Sequence, residues 1–214
     1  MNFLTDCLKK IIDGILAGLL ITIGGAVFLA CINPATPYTR YIGAFFFSTA
    51  LLCICMKGYS LYTGKIGYVI GKHSKEDISV LFLGLLGNAI ATIGLGYLLA
   101  VTFPNLKETA LSLCNDKLTQ GYGFALIRAC FCGVLVYLAV DIYKSDKSVL
   151  GIVFCIPVFI LSGYEHSIAD IFYFAISGIQ SLEAFGYLWM IILVNSICSL
   201  IIPALKLVGR KKEN

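Results

Sequence analysis

The chain has 214 residues, 59% of them apolar and 13% charged, with a formal net charge of +4 and a mean hydropathy of +0.90. A soluble domain carries roughly a quarter charged residues, so this composition excludes one and assigns the chain to a lipid bilayer. It leaves no basic face for nucleic acid.

The elements follow in chain order as one domain over 1–214. Residues 1–13 read as a short cytoplasmic segment. Gly14 to Thr39 is uncharged, longer than the roughly 20 residues that cross the hydrocarbon. It is too long for the apolar core of a secretory leader and ends in Ile-Asn-Pro. Tyr41 to Met56 gives only 16 uncharged residues before "KGYSLYTGKIGYVIGK". Ile78 to Phe103 is a full span, and Gly123 to Val140 another, interrupted by Arg128. Ser148 to Tyr164 is uncharged, "EHSIAD" follows, and Ile171 to Leu182 is uncharged again. Ala184 to Leu205 is the last span, and 206–214 forms a basic cytoplasmic tail.

Span, broken span, span therefore occurs twice. Three elements per half put the halves in opposite orientations, so the expected fold is all-α, with six transmembrane helices in two inverted three-helix repeats. Paired interruptions at matching places in two halves mark a transport site. Asn88 and Asn195, both in the middle of a span, echo the repeat. Six crossings put both termini on one side, which holds ten of the 16 Lys and Arg residues. By the positive-inside rule that side is the cytoplasm, for a multi-pass protein of the cell (inner or plasma) membrane.

Nine cysteines invite a metal, but Cys53/Cys55 and Cys130/Cys132 are both C-x-C. Residues two apart on a helix point about 200° apart, so neither pair clamps one ion. Inside spans cysteine packs as a small apolar residue, and no metal site is expected. His73 sits in the charged "GKHSKED" loop and reads as a solvated histidine. At the interruptions, "GYSLYTG" (58–64) has glycine at each end, and "SGYEHS" (162–167) has a glycine before a charged pair. Backbone freed inside a membrane must be covered by protein or line a cavity. His166 would then sit near the midplane. The N-termini of the two resumed helices would offer partial positive charge to an anion.

These residues resemble the formate/nitrite transporter family over nearly the whole chain. "ILAGLLITIGGAV" is similar to the family's first helix, and "GYSLYTGK" to its G-[AS]-[DE]-L-F-T-G-N signature. "RACFCGVLVYLAV" resembles R-G-I-x-C-N-x-L-V-x-L-A-V, and "SGYEHSIADIF" resembles S-G-F-E-H-S-I-A-N-M-F. The resemblance implies an aquaporin-like protomer with second and fifth helices broken, a homopentamer in the bilayer, a small monovalent anion as substrate, and no cofactor. It makes His166 the central pore histidine, faced by Thr63 of a mobile loop, and Asn195 its hydrogen-bond partner. Leu61 becomes the cytoplasmic constriction, while Phe47, Leu51 and Phe159 form the outer one. Lys117 takes the place of the family's outer-vestibule lysine, and Glu165 orients the structure around His166. Arg128 matches a family arginine and is expected to make an interhelical contact.

Four positions depart from the family pattern. Ser60 replaces an acid. Gly133, Lys65 and Asp170 each replace an asparagine, and the loss at Gly133 is expected to remove a polar partner near the outer vestibule. Lys65 and Asp170 carry opposite charges at matching positions, which suggests that they pair.

The chemistry follows from burial. A charge at the bilayer centre costs several kcal/mol, so an anion passes the apolar ring more easily as its neutral acid, with His166 as the central titratable group. The reading is a channel for formate, nitrite, hydrosulfide or a short carboxylate. The alternative is an aquaporin-like channel for small neutral solutes. An intramembrane enzyme is disfavoured, because the chain has no G-x-S-x-G, no H-E-x-x-H and no credible pair of catalytic carboxylates.

Overall fold

The computed structural model describes residues 3–32, 36–70 and 75–210. His73 and residues 211–214 of the tail lie outside them. The described residues are helical, without strands: α1 (Phe3–Ile32), α2 (Pro37–Lys57), α3 (Tyr62–Lys65), α4 (Lys75–Thr102), α5 (Pro104–Thr119), α6 (Tyr122–Asp146), α7 (Leu150–Leu161), α8 (Ser167–Ser177), α9 (Leu182–Ser199) and α10 (Ile201–Arg210). A short 3₁₀ turn, Ile66–Val69, follows α3.

Among the described residues, five stretches are long and apolar enough to cross a membrane: Leu4–Ile32, Tyr38–Lys57, Ile78–Thr102, Tyr122–Asp146 and Leu182–Gly209. α7 and α8 are apolar but shorter. Large side chains such as Phe82, Val101, Phe154 and Leu193 point outward, as a lipid-facing surface requires.

Three boundaries differ from the sequence reading. α1 starts at Phe3, so most of residues 1–13 belongs to the first helix. There Lys10 pairs with Asp6 and bonds Ser79 Oγ of α4 at 2.9 Å. The last span divides at Leu200 into α9 and α10. Residues 104–119, between the third and fourth spans, form α5, with Pro104 in its first turn and Ala110 and Cys114 buried.

The helices cross closely where glycines remove side chains. A Cβ on Gly87 would lie 2.3 Å from Ile11 O, and one on Gly14 2.5 Å from Gly84 O. α1 and α4 thus meet backbone to backbone, the close approach that small residues permit between membrane helices. α6 and α9 meet at Gly133, where a Cβ would lie 2.5 Å from Asn195 O.

The chain leaves the helix at 58–61, between α2 and α3, and at 162–166, between α7 and α8. α2 ends on Gly58 with φ 75°, and the turn after α7 contains Gly163 with φ 67°. Only glycine takes this left-handed backbone without cost. In the second interruption the helix resumes at Ser167, four residues before the apolar run suggested, so "SIAD" is already helical.

Candidate functional site

Each interruption is closed by one asparagine, and the two closures match atom for atom. In the first, Asn88 Oδ1 accepts from Tyr62 N–H (2.9 Å), while Asn88 Nδ2 donates to Gly14 O (2.8 Å) and Ser60 O (2.9 Å). In the second, Asn195 Oδ1 accepts from Ser167 N–H (2.8 Å), and its Nδ2 donates to Ala129 O (2.8 Å) and Glu165 O (2.9 Å). Thr92 Oγ1 donates to Asn88 O, and Ser199 Oγ to Asn195 O. Backbone groups freed by a helix break must find partners inside a membrane, and these two amides supply three each. Asn195 thus bonds the backbone on either side of His166 rather than its ring. Asn195→Ala should orphan three buried backbone groups at about 1–3 kcal/mol each. The purified protein should melt well below wild type, and Asn88→Ala should do the same.

The matching positions fix His166 as the N-cap of α8. Its Nδ1 accepts from Ala169 N–H at 3.1 Å. That nitrogen therefore presents a lone pair, and the ring proton sits on Nε2. Nε2–H in turn donates to Thr63 Oγ1 at 2.9 Å. One imidazole thereby links the two resumed helices, with Thr63 and His166 both buried. The first amide of each resumed helix is already bonded by an asparagine, so neither is free as a direct ligand.

Two cavities flank this link. One of about 270 Å³ is lined by Phe47, Phe159, His166, Lys117 and Asp170, among others. Another of about 250 Å³ is lined by Leu51, Leu61, Lys65 and Lys144, among others. Phe47 and Leu51 are one turn apart on α2, about 6 Å along its axis, so the partition is about one helical turn thick. Phe47 meets Phe159 edge to face, with ring centroids 6.2 Å apart, and Phe159 stacks on His166 at 5.7 Å. Phe47, Leu51, Leu61 and Phe159 are all at most 3% exposed. Phe47 and Phe159 line the first cavity, whereas Leu51, grouped with them from sequence, lines the second beside Leu61.

Lys117 lies beside the first cavity, but not as a free cation. It pairs with Glu165, and its Nζ lies 3.0 Å from Asp170 Oδ1. Gln120 Nε2 donates to Glu165 Oε1 and to Tyr187 Oη, each at 2.9 Å. Arg128 donates to Gln120 Oε1 in the turn between α5 and α6, not to another helix. The Glu165 side chain is bonded by Lys117 and Gln120, and its carbonyl accepts from Asn195. Gln120 and Tyr187 were missed, since a lone glutamine after a helix and a tyrosine within an apolar span carry no motif.

Two further expectations fail. Lys65 and Asp170 do not pair. Lys65 donates to Ser60 Oγ at 2.8 Å and lines the second cavity, whereas Asp170 lines the first and faces Lys117. Matching positions of the two interruptions fall on opposite sides of the partition. Gly133 does not face the vestibule. It packs against the backbone of α9, and its carbonyl accepts from Ser199 Oγ at 3.0 Å.

Comparison with known proteins follows the same lines. The model of the family described as "Formate/nitrite transporter" matches residues 3–205. "Formate-nitrite transporter 2" of Toxoplasma gondii is 28% identical over 153 residues, 64% of this chain and 33% of that protein. "Uncharacterized transporter YwcJ" of Bacillus subtilis is 29% identical over 187 residues, 79% of this chain and 72% of that one. The chain thus spans about a third of the first relative's length. The solved structure titled "Pentameric formate channel with formate bound" superposes with a TM-score of 0.83 at 19% identity, covering 100% of both chains. One titled "FNT family ion channel" does so at 0.78 and 22%, covering 95% of this chain and 90% of that one.

Proposed function

The chain belongs to the formate/nitrite transporter family, and from that premise we propose that it is a pore for a small monovalent anion, which passes the apolar partition as its conjugate acid beside His166. One observation carries this reading: the His166–Thr63 hydrogen bond of 2.9 Å sits at the partition between two cavities. Desolvating an ion there costs several kcal/mol, whereas a neutral acid loses little. The Nε2–H of His166 is the donor that an arriving anion meets once Thr63 yields. Formate, nitrite, hydrosulfide and short carboxylates are monovalent and protonate readily, which chloride does not.

The paired Asn88 and Asn195 closures support two inverted three-helix repeats, α1 to α4 and α6 to α9, with the second and fifth crossings broken at 58–61 and 162–166. The lysine distribution supports cytoplasmic termini in a cell membrane. The neighbour titled a pentameric formate channel supports a homopentamer, whose subunit contacts would use part of the exposed apolar surface.

The test is uptake into sealed vesicles that hold a pH-sensitive dye. Formate, nitrite, hydrosulfide or chloride is added in turn, and protein-free vesicles set the baseline. A faster acidification with one or more weak-acid anions, and none with chloride, is the expected result. Swelling with a neutral solute and no protein-dependent acidification would replace this reading by the neutral-solute channel. Phe159→Ala removes one ring of the edge-to-face pair and should raise acetate uptake relative to formate. An unchanged ratio would show that the ring does not select by size.

A further inference from the structure

Lys117 is one cation set between two carboxylates. The side chains of Glu165 and Asp170 are each 1% exposed and that of Lys117 10%. Two ionised carboxylates on one ammonium would leave a net negative charge buried, which is costly. The hydrogen bonds are unevenly shared. Both oxygens of Glu165 are covered, by Lys117 and Gln120. Asp170 Oδ1 faces Lys117, but Asp170 Oδ2 has no hydrogen-bond partner. Among the described residues the other buried side-chain oxygen in that state is Ser167 Oγ. It lies three positions earlier on α8, on the same helix face. A bare oxygen is far cheaper to bury on a neutral carboxyl than on an ionised one.

We propose that Glu165 and Asp170 hold one proton between them, which makes Asp170 a second proton-bearing group on the permeation path and gives the outer cavity a net positive lining. This deepens the anion-pore reading and rests on it. The cavity is lined by Arg40, Lys117 and Arg128 and by Asp116, Glu165 and Asp170. With every carboxylate ionised the lining is balanced and attracts no anion. One shared proton leaves one positive charge in excess, and a cavity of one sign concentrates the opposite ion. An entering anion takes the carboxyl proton of Asp170 and leaves as its neutral acid. The carboxylate left behind regains a proton from the outer solution.

Arg40 and Arg128 line the same cavity, but among the described residues Lys117 is the cation paired with Asp170. α5 presents Lys117 and Cys114, α6 Cys132, α9 Tyr187, and α8 itself Tyr173. α3 reaches α8 through Thr63 on His166. α1 and α4 approach it through Gly25 at Phe172 and Gly96 at Ala175.

Infrared difference spectroscopy on the purified protein reads the proton directly and needs no transport, so this test and the uptake test fail independently. Wild type should show a carboxylic-acid carbonyl band at neutral pH. Asp170→Asn should remove it, because Glu165 alone on Lys117 ionises. Glu165→Gln should remove it too, because Asp170 alone then ionises. Both changes keep side-chain shape. A wild type without the band, or a band that survives either substitution, would overturn the proposal.

Discussion

Replacing His166 with asparagine is expected to stop proton-linked uptake while the protein folds and assembles normally. The two jobs of the imidazole are separable. As N-cap it accepts from Ala169 N–H, and asparagine is among the best capping residues. As the group at the partition it offers Nε2–H towards Thr63, a titratable ring that an amide does not replace. Phenylalanine separates them the other way. It can keep the stack on Phe159 but loses the cap, at a cost of about 1 kcal/mol. Without the Nε2–H donor at the partition, the acid formed in the outer cavity finds no polar partner there, and an anion that crosses bare meets a penalty of about 2.5–3.5 kcal/mol on the lowest scales for a charge at the bilayer centre. Each 1.36 kcal/mol is a factor of ten in rate, so both variants should lose about a hundredfold or more in formate-driven acidification. Full uptake by His166→Asn would reduce His166 to a capping residue.

Much of this arrangement was legible in the sequence, and the reason is physical. A helix broken inside a bilayer needs a residue to turn the chain, polar atoms to close the gap, and little else. Gly58 and Gly163 answered the first need. Asn88 and Asn195 stood out because an amide in the middle of an apolar span is costly unless it is used. Spacing from Thr63 and His166 then singled out Phe47, Leu51 and Phe159, which are indistinguishable from lipid-facing residues by composition alone.

What escaped the sequence was mostly a matter of direction. The pairing of Lys65 with Asp170 failed because equal positions in the two interruptions belong to different cavities, and charge complementarity carries no information about which side of the partition a residue faces. The helix α5 carried a usable signal. Pro104 is a typical first-turn residue, and Leu106, Ala110, Leu113, Cys114 and Lys117 recur at helical spacing. Reading that stripe would have turned Lys117 inward, onto the two carboxylates it meets. The unpartnered oxygen of Asp170 had no signal at all, because it depends on where Gln120 and Lys117 spend their donors.

Gly133→Asn, which installs the residue that the related family carries there, is expected to destabilise this chain and not to restore a vestibule group. A Cβ at 133 would already lie 2.5 Å from Asn195 O and 3.2 Å from Asn195 Cα and C. These are backbone atoms that no rotamer change moves aside. The asparagine side chain adds three more heavy atoms at a crossing with no space. Overpacking costs typically 1–3 kcal/mol, and backbone clashes fall at the upper end. About 3 kcal/mol corresponds to roughly 6–12 °C in melting temperature for a chain of this size. The effect reaches function because α9 carries Asn195. If α9 moves off α6, the amide loses its reach to Glu165 O and Ser167 N–H, and the break that holds His166 opens. Uptake should therefore fall together with the melting temperature. Gly186→Ala on the same helix is the control, since a Cβ there meets nothing within 4 Å, and it should leave both unchanged or raise stability slightly. If Gly133→Asn melts like wild type, the α6–α9 crossing is looser than 2.5 Å implies, and the coupling from this glycine to His166 is absent.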